Sequence, residues 1–426
     1  MSDLKKVLRE AVKEIKPDEG LMKRIRKISS GFCESLREEL VKAKIKADVF
    51  VGGSFAKGTL VKKKKYDVDI FVRFSWEYED LSDDLEPVLK RVCKNLGFSY
   101  GRVHGSRDYF MIDIDERIDL EVIPVTKIKK PSEERNVTDL SYFHVSYVKK
   151  KAKKLEGEIR LAKVFCAANG VYGAESYIQG FSGYALECLV IYYGSFVKML
   201  RELVKVELGN RLVIDIEKHY KRKDNVFFEV NENKLQSPVI LIDPTYKERN
   251  ALASLSQESF EKFQDVAKKF LKNPSVEYFR KKEFDLDRFK KVGKGEEFVH
   301  VVLETDRQEG DIAGTKMKKF SNFLKNELSK YFDIKKNEFI YDLGQRSDFY
   351  LVVRSKREIV RIGPPVGMKD AVKKFKKEHR KTYVKNGFLH AKIKVDFSAS
   401  DFIKNFSKEH KKTVNEMGIT RLSCKP

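Results

Sequence analysis

Apolar residues recur at helical spacing through Leu21, Ile25, Ile28, Phe32 and Leu36, predicting a helical start to the chain. The period then shortens. Ala47-Asp-Val-Phe-Val51 reads as a strand, Gly52-Gly53-Ser54 as a turn, and Asp67-Val-Asp-Ile-Phe-Val-Arg-Phe74 as a second strand that opens with strict polar and apolar alternation. Successive strand side chains point to opposite faces, so Asp67 and Asp69 share one face. A helix over Leu81–Leu96 and strands over 109–114 and 117–124 complete a small α/β domain, residues 1–145.

From Lys149 the helical period takes over, through Leu155, Ile159, Ala162 and Phe165 to a stop at Gly170, then from Tyr184 through Leu189, Ile191 and Tyr193 to about Leu203. This predicts a helical neck, residues 146–275. Beyond Asn273-Pro274, strand-like 298–303, an amphipathic helix carrying Met317, Phe320, Leu324 and Leu328, and strand-like 349–353 predict an α+β body, residues 276–365. Gly363-Pro-Pro365 punctuates the pattern. A basic helix, a strand over 388–397 and a closing helix over 399–417 then predict a basic helical tail, residues 366–426. The expected class is α/β and α+β multidomain, with a mixed sheet in the head, and no internal repeat or low-complexity linker interrupts it. A length of 426 residues agrees, since it exceeds what one hydrophobic core organises.

Charge changes the picture. The formal net charge is +23, and from Arg361 onward 17 Lys and Arg stand against 6 Asp and Glu, so nearly half of the excess lies in the last 66 residues. A field of that sign attracts polyanions and gains by counterion release, which makes nucleic acid the leading partner, although a Lys-rich solvated surface would have the same composition. No apolar run reaches the roughly 20 residues of a membrane span, and the start lacks a secretory apolar stretch, so no membrane partner and a cytoplasmic location are expected. Cys33, Cys93, Cys166, Cys188 and Cys424 are odd in number and scattered, which predicts reduced thiols rather than disulfides or a zinc site.

Candidate chemistry gathers in the head. Transfer of a nucleotidyl group needs charge on the α-phosphate neutralised and an attacking hydroxyl made more acidic, work that suits divalent cations. Such hard cations take oxygen ligands, and Asp67 and Asp69 with one acid from Asp119-Leu-Glu121 would supply carboxylates from adjacent strands. Gly53-Ser54 allows a close backbone approach to a phosphate, and Lys57 adds positive charge nearby. An isolated D-x-D is common on exposed strands. The ordered set of strand, Gly-Ser turn, D-x-D strand and later acidic strand is much more specific.

That set resembles the signature of the polymerase-β-type nucleotidyltransferase superfamily. Downstream, Arg160-Leu-Ala-Lys-Val-Phe-Cys-Ala-Ala-Asn-Gly-Val-Tyr-Gly-Ala-Glu175, Gly180-Phe-Ser-Gly-Tyr184, Tyr193-Gly-Ser-Phe196, Asp243-Pro244 with Arg249-Asn250, and Arg361-Ile-Gly-Pro364 resemble, in order, the archaeal, class I CCA-adding enzymes. The resemblance covers essentially the whole chain. It implies Mg²⁺-dependent, template-independent addition of C, C and A from CTP and ATP to the 3′ end of tRNA, by a homodimer. It further implies Asp67, Asp69 and Glu121 as catalytic metal ligands, with Asp119 the alternative to Glu121. Gly53, Ser54, Lys57, Ser141, His144, Lys163, Tyr172 and Arg249 become nucleotide contacts, and the run Lys373, Lys374, Lys376 and Lys377 an RNA-binding surface. The chain departs from the family's usual pattern with Asp67 for Glu, Glu121 for Asp, Lys57 for Arg and Ser141 for Thr. Two other readings share these features: a poly(A) polymerase or similar template-independent polymerase, and a tRNA-binding protein without catalysis.

Overall fold

The structure, a computed structural model, describes residues 2–207, 209–291, 295–379 and 381–425, which form two compact units. Unit one comprises residues 1–174 and 178–282, and unit two comprises 175–177 and 283–426.

Unit one opens with helices α1 (Ser2–Ile15) and α2 (Glu19–Lys42), the second capped by Asp18, whose side chain accepts from the Leu21 N–H. Strand β1 (Ala47–Val51), the short helix α3 (Gly53–Ala56), β2 (Tyr66–Phe74), α4 (Leu81–Leu96), β3 (Ser99–Val103), β4 (Tyr109–Asp115) and β5 (Ile118–Thr126) follow. They build a mixed sheet in the order β1-β2-β5-β4-β3, in which β2 and β5 run parallel and the other pairs antiparallel. Leu21, Ile25, Phe32 and Leu36 of α2 and Leu85, Leu89 and Val92 of α4 bury against Val68, Ile70, Leu120 and Val122 of the central strands. The helical and alternating periods read from the sequence are therefore the two sides of one core.

Next come α5 (Ser141–Lys151), α6 (Glu156–Ala168), α7 (Gly183–Tyr193) and α8 (Phe196–Leu203), whose shared core includes Phe165, Phe181, Leu189 and Phe196. The helical reading of this neck missed a small sheet: β6 (Leu212–Asp215), β7 (Val239–Asp243) and β8 (Tyr246–Asn250), in sequential order. Strand β7 is buried at every position, which leaves no alternation in its sequence.

Unit two carries β9 (Glu297–Glu304), β10 (Phe332–Tyr341), β11 (Arg346–Ser355), β12 (Glu358–Pro365), β13 (Thr382–Lys385), β14 (Phe388–Lys394) and β15 (Arg421–Lys425). The helix Asp311–Ser329 buries Met317, Phe320, Leu324 and Leu328, as its spacing predicted, in one core with Val299, Val301, Leu303, Phe349, Leu351 and Val353 of the antiparallel sheet β10-β11-β9-β15. A second sheet, β12-β14-β13, packs its small core against Phe375 of the helix Lys369–Glu378. The tail is thus less helical than its sequence suggested. The expected closing helix is two, Ala399–Glu409 and Lys411–Glu416, because at His410 (φ −110°, ψ 27°) the backbone leaves the helical path, and β15 then joins β9. Four of the five cysteines are buried and all are free thiols, as expected.

Candidate active site

On the parallel strands β2 and β5, Asp67 lies opposite Asp119 and Asp69 opposite Glu121. Residues paired in this way project to the same side, so four carboxylates share one face while Val68, Ile70, Leu120 and Val122 fill the other. Lys63 pairs with Asp67, and Lys65 lies 2.8 Å from Asp119 in an ion pair without hydrogen-bond geometry, Asp119 Oδ1 having no hydrogen-bond partner. Asp69 and Glu121 have no ion pair among the described residues. Burial, then the charges of Asp69 and Asp67, push Glu121 up to about 8, and burial likewise raises Asp69.

The Gly52-Gly53 turn that opens α3 lies against Asp69. Gly52 N–H donates to the Asp69 carbonyl at 2.8 Å. At Gly53, with φ at +57°, a Cβ would fall 1.6 Å from Asp69 Oδ2, so only glycine lets the turn pass the acid.

The loop after α3 is clamped from α6 and α7. Arg160 donates to the carbonyls of Gly58 at 2.5 Å and Leu60 at 2.9 Å. One turn on, Lys163 donates to Thr59 Oγ1 at 2.9 Å and to Glu187 Oε1 at 2.7 Å, and Lys57 reaches Glu187 Oε2 at 2.6 Å. Glu187 is fully buried; burial alone would raise it, but Lys163 and Lys57 hold it down at about 2. At Lys163 burial wins and lowers the ammonium below the ordinary lysine range. Two cations converge on one anion, so the ionised state of Glu187 is the more firmly held.

A second buried carboxylate, Asp243 at the end of β7, gathers His144 Nε2 at 2.9 Å and Arg249 Nη1 at 2.7 Å on Oδ2, and the Tyr184 hydroxyl at 2.9 Å on Oδ1. Burial would raise Asp243, but His144 and Arg249, with the Thr245 N–H, hold it well below the usual carboxylate range; burial lowers His144. The His144 ring stacks on Tyr184 with centroids 3.9 Å apart. Ser141 and His144 enter α5 from a 3-10 turn, Val137–Leu140, fixed by a reciprocal capping box between Asn136 and Asp139. Tyr172 bridges to Phe181 in parallel, and Gly180 is required beside it, since a Cβ there would lie 2.2 Å from the Val171 carbonyl. A cavity of about 510 Å³ opens among Glu134, Asn136, Ser182, Lys234, Arg249 and Asn250.

The structure therefore brings together Lys57 with Lys163, and His144 with Arg249, pairs that the sequence could only enumerate. Sequence reasoning assigned no role to the carboxylates that join them, although Glu187 was visible as the lone charge in the apolar run from Ala185 to Val190. Lys373, Lys374, Lys376 and Lys377 are exposed around the buried Phe375 of their helix in unit two.

Among the described residues no three His, Cys, Asp or Glu side chains are gathered so as to hold a metal ion. The donor chemistry nevertheless fits a divalent cation: Asp69 and Glu121 are oxygen donors on adjacent strands, their charges opposed by burial and, at Glu121, also by the neighbouring acids.

A mixed sheet with acids on its two central strands, a Gly-Ser turn beside them and a helical layer following defines a nucleotidyltransferase. The family described as nucleotidyltransferase domain matches residues 33–144, and that described as tRNA nucleotidyltransferase, second domain, matches residues 157–280. A CCA-adding enzyme of Nanoarchaeum equitans is 34% identical over 357 residues, 83% of this chain and 86% of that relative. Another, from Methanocaldococcus jannaschii, is 28% identical over 418 residues, 93% of this chain and 88% of its own. The chain belongs to the CCA-adding enzyme family of the archaeal type. In fold, it resembles the solved structure of a cytoplasmic RNA terminal U-transferase, with a TM-score of 0.51 and 12% identity, covering 67% of this chain and 100% of that one.

Proposed function

We propose that this chain adds C, C and A in turn to the 3′ end of tRNA from CTP and ATP, with Asp67, Asp69 and Glu121 as the catalytic acids. The observation that carries this reading is the pair Asp69 and Glu121, opposite each other, in no ion pair among the described residues, with the Gly53 backbone against Asp69. Those acids would hold Mg²⁺, which when bound neutralises α-phosphate charge and acidifies the attacking 3′-hydroxyl. Asp119 is the weaker third ligand because Lys65 already faces it.

Gly53 and Ser54 offer backbone and hydroxyl groups to the phosphates, with Ser141, Lys57, Lys163 and Tyr172 completing that end. For Lys57 and Lys163 to contact a triphosphate they must share or leave Glu187. His144 and Arg249 serve the sugar and base end, Arg249 facing the cavity. The exposed run Lys373, Lys374, Lys376 and Lys377 contacts tRNA phosphates, which fixes position without reading sequence. No helix among the described residues is long and apolar enough to cross a membrane. A cytoplasmic homodimer is our reading on family resemblance.

The test supplies tRNA ending before, within and after CCA with CTP, ATP or both. Two residues added with CTP and a third only with ATP are expected. Extension of generic RNA by ATP alone, without use of CTP, would reject the reading in favour of a poly(A) polymerase; no incorporation by the wild type with Mg²⁺ would leave a tRNA-binding protein.

A further inference from the structure

Asp243 receives more donors than burial of one carboxylate demands. Besides His144 and Arg249 on Oδ2 and Tyr184 on Oδ1, the Thr245 N–H and hydroxyl each donate to Oδ1 at 2.8 Å. Two or three hydrogen bonds are roughly enough to keep a carboxylate ionised. The identity of the donors is more informative than their number. His144 lies 99 residues before Asp243 on α5, and Arg249 lies six residues after it on β8, yet both use the same oxygen. Asp243 itself is fully buried and does not line the cavity, whereas Arg249 does.

We infer that Asp243 is a positioning residue for base selection, fixing one arm of the Arg249 guanidinium so that its remaining donors face the cavity in a set direction. A guanidinium is a rigid planar fork, so anchoring one Nη orients the rest, which a flexible ammonium could not reproduce. Direction matters because the two accepted bases share an edge: cytosine and adenine each carry an amino group beside a ring nitrogen that accepts, whereas uracil and guanine carry a carbonyl beside a ring N–H. A donor held in one place rewards the first pair and meets another donor in the second. An unanchored Arg249 would swing and pair with a carbonyl instead. Tyr184 supports the same geometry from beneath, bonding Asp243 while its ring lies against His144 and 5.9 Å from the Arg249 guanidinium.

This inference rests on the reading that the chain incorporates CMP and AMP. The test measures kcat/KM for CTP, ATP, UTP and GTP on tRNA lacking its terminus, with wild type, Asp243→Asn, Arg249→Ala and the double variant, alongside tRNA affinity and the thermal midpoint. Asp243→Asn keeps the size of the side chain but replaces an acceptor by a donor. The expected result is a loss of CTP-over-UTP preference of roughly tenfold or more, a rise in KM exceeding the fall in kcat, and unchanged tRNA affinity. Adding Asp243→Asn to Arg249→Ala should cost no further preference, because the carboxylate acts through that arginine. Should the Asn variant fail to fold, Asp243→Glu keeps the charge and displaces it, and a smaller loss of preference is expected. An unchanged preference in a folded Asp243 variant, or losses that multiply in the double variant, would overturn the inference. A wild type that adds neither C nor A would instead overturn the proposed function.

Discussion

On β2 and β5, carboxylates crowd one face with too few cations to balance them, whereas around α7 and β7 two carboxylates are buried under converging donors. The same chemical group thus occupies opposite states within unit one. Where acids repel, folding bears a cost that a bound cation relieves; where donors converge, the charge organises side chains around it. The first state is suited to ligation and the second to holding other residues in place.

The widest separation between the two regions is expected from Asp69→Asn. Incorporation should fall by roughly a thousandfold or more, about 4 kcal/mol at the transition state, while the thermal midpoint stays level or rises because a charge opposed by burial is gone. A drop in midpoint with activity retained would erase the contrast. Glu187→Ala should behave in the opposite sense, lowering stability by about 3–5 kcal/mol in denaturant unfolding, since it strands Lys163 in the interior. A variant as stable as wild type would show that the buried ion pairs organise nothing.

Acidity sharpens the comparison by sign. Glu187 sits at about 2 when folded against 4.5 ordinarily, so the unfolded chain binds the proton first, and this contribution is intact above 4.5 and lost as pH falls towards 2. Glu121 sits at about 8, so the folded chain binds the proton more readily, and stability contributed there declines as pH rises from 4.5 to 8. Chelated protein followed by thermal unfolding across both windows should show the two slopes, and added Mg²⁺ should flatten only the upper one. The smallest effect is expected in unit two: replacing Lys373, Lys374, Lys376 and Lys377 together by Ala should weaken tRNA binding several-fold and lower the salt slope by up to about four, with nucleotide KM unchanged.

The acidic region was legible in the sequence because alternation in Asp67-Val-Asp69 and the neighbouring glycines are local signals, and β5 supplied a second acidic pair in the right order. The buried region was not, because its contacts join residues far apart in the chain: 130 positions for Lys57 and Glu187 and 99 for His144 and Asp243. No periodicity carries such distances. In unit two, the Asn386-Gly387 dipeptide is itself a local hairpin signal; both residues have positive φ and turn β13 into β14. Strand β15 offered none, since its place is decided by pairing with β9 and not by its own pattern.

Gly53 has a consequence for how this chain can vary. Any side chain at that position would enter the space of Asp69 Oδ2 itself. A substitution there therefore displaces the acid and strains a backbone held at positive φ, so chemistry and local conformation select against it together. The turn and the acid constitute one heritable unit, and a library that randomises position 53 alone should return only glycine under selection for activity.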